Sequence, residues 1–203
     1  RFFKIVKGDY GEGDIFLGLT VPQSRKIAGR YKDLPLVDIQ ELLKSKIHDE
    51  RLISLFLLVH QFQNGNEEIK KTIYDFYLSH TQYVNNWDLV DSSADKIVGE
   101  YLVSASAVKE GKIPKQVRDD TINVLTHLAR SDNIWEKRIA MIATYAFIKR
   151  GEAEPTLHIA DILLHDKHDL LNKAVGWMLR EVGKRVSEKV LEGFKSGNYK
   201  KVV

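Results

Sequence analysis

Asn85-Asn86-Trp87-Asp88-Leu89-Val90-Asp91 opens a helix with an aromatic ring at its start and a carboxylate four residues further on. Residues i and i+4 of a helix lie one above the other, so Trp87 and Asp91 project from one face. A ring favours burial, whereas a carboxylate favours water or a cation. A helix face that offers both is a candidate site.

Outward from this segment the same form repeats: a helix, a short polar break, then a second helix opening on a polar or aromatic residue. Ile39-Gln40-Glu41-Leu42-Leu43 precedes His48-Asp49-Glu50-Arg51-Leu52, and Ile73-Tyr74-Asp75-Phe76-Tyr77 precedes Asn86-Trp87-Asp88. Val117 to Ala129 precedes Ser131-Asp132-Asn133-Ile134-Trp135, and His158 to Leu164 precedes Lys167-His168-Asp169-Leu170-Leu171. Placing Asp91, Arg138 and Lys173 in one register gives spacings of 47 and 35 residues, which bracket the period of HEAT-like helical pairs. One helix pair cannot bury its apolar stripe alone, so the pattern predicts an all-α, HEAT-like helical-repeat solenoid with one layer of helices on its concave side. The long third unit, with Gly111 and Pro114 inside it, reads as an insertion around Ser104 to Lys115.

Composition sets the bounds. A chain of 203 residues, 43% hydrophobic and without a low-complexity tract, is expected to form one repeat domain over residues 1–203. The first residue is Arg, so a start is expected upstream. No apolar run approaches the roughly 18 residues of a membrane helix, so no membrane partner is expected. The chain has no Cys, which excludes a disulfide framework, a thiolate nucleophile and a thiolate metal site, and fits a cytoplasmic location. A monomer is expected.

The net charge of +3 is unevenly spread. Residues 171–203 carry Lys173, Arg180, Lys184, Arg185, Lys189, Lys195, Lys200 and Lys201 against Glu181, Glu188 and Glu192, leaving the rest of the chain slightly acidic. A basic end on a near-neutral body points to a polyanion partner. Lys173, Trp177, Arg180 and Lys184 follow helical spacing and form a basic stripe with a ring in it, which suits a sugar-phosphate backbone; Arg185 adds to the charge. Trp135 reads as packing between helices.

Taken together, Gly11-Glu12-Gly13-Asp14-Ile15-Phe16-Leu17-Gly18 with Val21-Pro22 and Arg25, then the Trp87 segment, then Asp132-Asn133-Ile134-Trp135-Glu136-Lys137-Arg138, and then Lys173-Ala174-Val175-Gly176-Trp177-Met178-Leu179-Arg180-Glu181, resemble the AlkD family of DNA alkylation repair glycosylases. The resemblance implies an all-α HEAT-like fold that removes N3- and N7-alkylated purines from duplex DNA in base excision repair, without metal or organic cofactor. It also implies that Asp91 is the catalytic carboxylate, that Trp87 and Trp177 wall the lesion's sugar, and that Arg138 contacts DNA. Lys173, Arg180, Lys184 and Arg185 are expected to contact phosphates, and Tyr10 is a weaker candidate for DNA contact.

The chemistry is consistent with one carboxylate. An N3- or N7-alkylpurine is already cationic and leaves without a strong general acid, so a carboxylate need only stabilise the oxocarbenium-like sugar or position water. Aromatic faces attract such a cation by roughly 0.5 to 2 kcal/mol per contact. The alternative reading is a non-catalytic HEAT-like scaffold that binds DNA or a protein partner through its concave face. Gly8-Asp9-Tyr10-Gly11-Glu12-Gly13 lacks the βαβ context of a nucleotide loop, and His165-Asp166-Lys167-His168 lacks a third convergent metal ligand.

Overall fold

The computed structural model describes residues 3, 6–106 and 115–199, and among them the chain is all-helical. The expected insertion falls largely on residues 107–114, which lie outside the described residues. The chain divides into two compact units, residues 1–93 and 94–203. In the described residues the only extended pairing is one parallel bridge between Ile15 and Ile47.

The first unit contains α1 (Val21–Arg30), α2 (Leu36–Leu43), α3 (His48–Asn64), α4 (Glu67–Ser79), and α5 (Trp87–Ala94), which begins after a 3₁₀ turn at Thr81–Tyr83 and runs to the unit's end. α3 is buried on nearly every side, from Leu52 through Leu55, Phe56, Leu57 and Leu58 to Phe62. A helix apolar all round belongs at the centre of a unit, and α1, α2 and α4 pack around this one. The start of α4 is capped by Asn66, whose Oδ1 accepts from the Ile69 N–H at 3.0 Å. α4 and α5 are joined by a buried hydrogen bond between the Tyr77 and Ser93 hydroxyls at 2.9 Å.

The second unit opens with a π-helical turn, Asp95–Gly99, that continues α5 into α6 (Glu100–Ser106). It then holds α7 (Lys115–Ala129), α8 (Ile134–Ala143), α9 (Tyr145–Ile148), α10 (Glu154–Leu163), α11 (Asp169–Arg185) and α12 (Glu188–Tyr199). α7 packs on α8 and α10 on α11; α7 also packs on α10, and α8 on α11. Each pair thus covers the other's apolar side, with Leu125, Ile139, Ile159 and Met178 fully buried between them. A close approach is made at Gly99, where a Cβ would collide with the Ala143 carbonyl oxygen and lie 2.8 Å from the Ala146 Cβ.

The four second helices expected from the sequence begin at His48, Trp87, Ile134 and Asp169, where the polar breaks placed them. Two of these starts are capped locally, by Asn133 Oδ1 on the Trp135 N–H at 2.9 Å and by His168 Nδ1 on the Leu170 N–H at 3.2 Å. Among the described residues no helix is long and apolar enough to cross a membrane.

Candidate functional site

In the first unit, Trp87 and Asp91 sit one turn apart at the start of α5, both half-buried. Asn86, fully buried, accepts the Trp87 N–H through its side-chain oxygen at 2.8 Å. The Trp87 ring stacks on Phe3 at 5.7 Å between centroids, and Phe3 stacks on Phe16 at 4.7 Å. Phe16 in turn stacks on His48 at 4.6 Å, with the planes within 25°. Phe3 also lies 5.0 Å from His48, so Phe3, Phe16 and His48 form one cluster of rings that Trp87 joins through Phe3.

On its polar side His48 belongs to a buried ionic cluster that the sequence reading missed. His48 Nε2 lies 2.8 Å from Asp88 Oδ2 on α5, and Nδ1 lies 3.4 Å from Asp14 Oδ2. Arg51, one turn along α3, donates to Asp14 Oδ1 at 2.7 Å and to the Ser45 carbonyl at 2.9 Å. Burial opposes the charged imidazole, but the hydrogen bonds to Asp14 and Asp88 outweigh it and hold the His48 pKa above the usual histidine value. Burial likewise works against the Asp14 carboxylate, and His48 and Arg51 more than offset it, so its pKa is lowered. Next to His48, Asp49 accepts the Leu17 N–H at 2.7 Å and the Leu19 N–H at 3.0 Å. The glycine-rich N-terminal segment is thus tied to α3 by Asp14 and Asp49.

The remaining N-terminal candidate, Tyr10, is half-buried in a run of tight turns. Those turns close on their own acidic side chains, with the Gly8 N–H donating to Glu12 at 2.7 Å.

In the second unit, Trp177 lies on α11 with 37% of its surface exposed, the only tryptophan of the three at the surface. Tyr145 stands beside it at 6.4 Å, and the Tyr145 ring is covered by Lys149 and Arg185, each 5.5 Å from its centroid. Tyr145 was not among the residues singled out from the sequence. It enters the neighbourhood only because α9 packs on α11.

Arg138 occupies a different environment from the open DNA contact expected of it. It is 5% exposed and its guanidinium donates to the Leu170 carbonyl, which links α8 to the first turn of α11. Trp135, on the same helix, is buried, as expected of a packing residue. The basic stripe of α11 is exposed, though several of its charges have acidic neighbours. Lys173 pairs with Asp169 at 2.7 Å, and Glu181 takes Arg185 at 2.8 Å with Lys184 at 3.7 Å; Arg180 is exposed. The His165–His168 segment serves structure, with Asp166 paired to Lys137 at 2.8 Å and His168 capping α11.

A family model described as DNA alkylation repair enzyme matches residues 1–194. Among solved structures, one described as a predicted DNA alkylation repair enzyme from Enterococcus faecalis is similar in fold, with a TM-score of 0.65 over 93% of this chain and 84% of that one, at 13% sequence identity. No curated protein matches the chain.

Proposed function

The chain belongs to the DNA alkylation repair enzyme family, which gives it a role in the repair of alkylated DNA, and from that premise we propose that it is a DNA glycosylase. Its substrates in this reading are cationic N3- and N7-alkylated purines, such as 3-methyladenine and 7-methylguanine, in duplex DNA.

The observation that carries the proposal is the pairing of Trp87 and Asp91 on one half-buried face of α5. The alkylated base supplies its own positive charge and departs as a neutral molecule. The positive charge then moves to the deoxyribose, where Asp91 stabilises it or orients the attacking water. Trp87, stacked on Phe3, offers an electron-rich surface to the same sugar. Trp177, exposed on α11, is proposed as an aromatic contact to DNA, and Lys173, Arg180, Lys184 and Arg185 as phosphate contacts. For Arg138 the buried position favours a supporting part, fixing the first turn of the helix that carries Trp177.

The test is release of 7-methylguanine or 3-methyladenine from methylated duplex DNA by the purified chain. Release that is lost in Asp91→Asn supports the glycosylase. Tight DNA binding with no base released would replace it with the scaffold reading.

A further inference from the structure

We infer that His48 is a positioning residue for the helix that carries Trp87 and Asp91, clamping the first turn of α5 through Asp88 and steadying the Trp87 ring through the Phe16–Phe3 stack. The inference rests on the glycosylase reading of that helix and deepens it.

The clamp has two arms that meet at one imidazole. The polar arm is the 2.8 Å contact between His48 Nε2 and Asp88, the residue next to Trp87. The apolar arm is the ring cluster, in which His48 lies 4.6 Å from Phe16, Phe16 lies 4.7 Å from Phe3, and Phe3 lies 5.7 Å from Trp87. Phe3 also lies 5.0 Å from His48 itself, so one ring touches both the clamp and Trp87. His48 is 2% exposed, so both arms meet at a group held out of solvent. A face that must meet a sugar within a few tenths of an ångström requires such support, since a displacement of about 1 Å can cost roughly a hundredfold in rate.

The cluster's charge pattern shows when the clamp is strongest. The charged groups facing His48 among the described residues are Asp14 from the N-terminal segment, Asp88 from α5 and Arg51 from α3. A carboxylate lies against each ring nitrogen, and only the imidazolium has a donor on both. Protonated, the four groups balance as two cations and two anions. On losing its proton, His48 keeps one donor for two carboxylates and leaves a buried excess of negative charge, so the clamp loses one of its two hydrogen bonds and the ion-pair attraction in both. The N-terminal segment takes part because Asp14 and Phe16 both come from it.

The decisive experiment follows ring and indole resonances by NMR while pH rises, in the unmodified protein and in Asp88→Asn, alongside single-turnover release of 7-methylguanine. In the unmodified protein the Trp87 indole N–H signal should move with the same midpoint as His48, and in Asp88→Asn the His48 midpoint should fall and the Trp87 response vanish. Release should decline a few-fold on the basic side with that midpoint. In His48→Gln, release should be slower by roughly ten- to a hundredfold and lack that basic decline, with DNA affinity within about threefold. A Trp87 signal indifferent to His48 titration, or a His48→Gln protein that releases base at the unmodified rate with the same pH profile, overturns the inference. If the unmodified protein releases no base, the glycosylase reading fails, while the coupled or uncoupled Trp87 signal still decides the clamp.

Discussion

Asp49→Asn tests how firmly the N-terminal segment is held against α3. The Asp49 carboxylate is 4% exposed and each oxygen takes one backbone donor, Leu17 N–H at 2.7 Å and Leu19 N–H at 3.0 Å. Asparagine has the same shape but only one oxygen, so one of the two N–H groups would face an amide NH2. Each hydrogen bond to a charged group contributes about 1.5 to 3 kcal/mol, and an unsatisfied buried donor costs about 1 to 3 kcal/mol. Both donors are only partly buried, since Leu17 is 60% exposed, so the lower half of these ranges applies and a loss of about 2 kcal/mol follows. For a chain of this size that corresponds to a fall of roughly 4 to 8 °C in Tm. Amide hydrogen exchange locates the effect: protection at Leu17 and Leu19 should drop about thirtyfold, the equivalent of 2 kcal/mol, while α3 stays protected. Base release should fall as well, because Phe16 is carried on the same segment. Unchanged exchange at both amides would refute the reasoning.

Four further outcomes are expected. Asp91→Asn should bind methylated DNA normally and excise 7-methylguanine roughly ten- to a thousandfold more slowly, or about 1.4 to 4 kcal/mol; an unchanged single-turnover rate would remove Asp91 from the chemistry. DNA affinity should weaken with salt at a log-log slope of about −0.9 per phosphate contact, and Lys184→Glu should flatten it; filter binding from low to moderate salt gives the slope, and a value near zero would refute the basic-face assignment. Gly99→Ala should cost about 3 kcal/mol, because the added methyl meets backbone at Ala143 and the π turn must shift; a urea midpoint equal to that of the unmodified chain would contradict the packing. The raised His48 pKa makes its contribution to stability complete below about pH 6.5 and lost as pH rises through the folded-state value, whereas the lowered Asp14 pKa makes its contribution complete above about pH 4 and lost on acidification. Thermal melts should therefore show a loss of Tm as pH rises through the folded-state His48 pKa, a loss that is absent in His48→Gln.

The sequence by itself determined the helical character of the chain, the start of each second helix and the pairing of Trp87 with Asp91. These are local properties, set by apolar spacing, polar breaks and an i, i+4 relation that any helix enforces. It also marked the family, through ordered motifs spread over most of the length. Only the tertiary structure decided which polar side chains support the site. His48 meets Asp88 across 40 residues and Arg51 meets Asp14 across 37, and no spacing rule relates residues that far apart. Asp88 was not singled out from the sequence, yet packing sets it against His48 and so ties α5 to α3. The resemblance implied a DNA contact at Arg138, and the docking of α8 on α11 buries that residue and gives its guanidinium a carbonyl to hold. A charged side chain looks the same in a sequence whether it ends in water or in a core. What separates the two is whether another segment arrives with the matching charge or lone pair, and that is settled only when the helices pack.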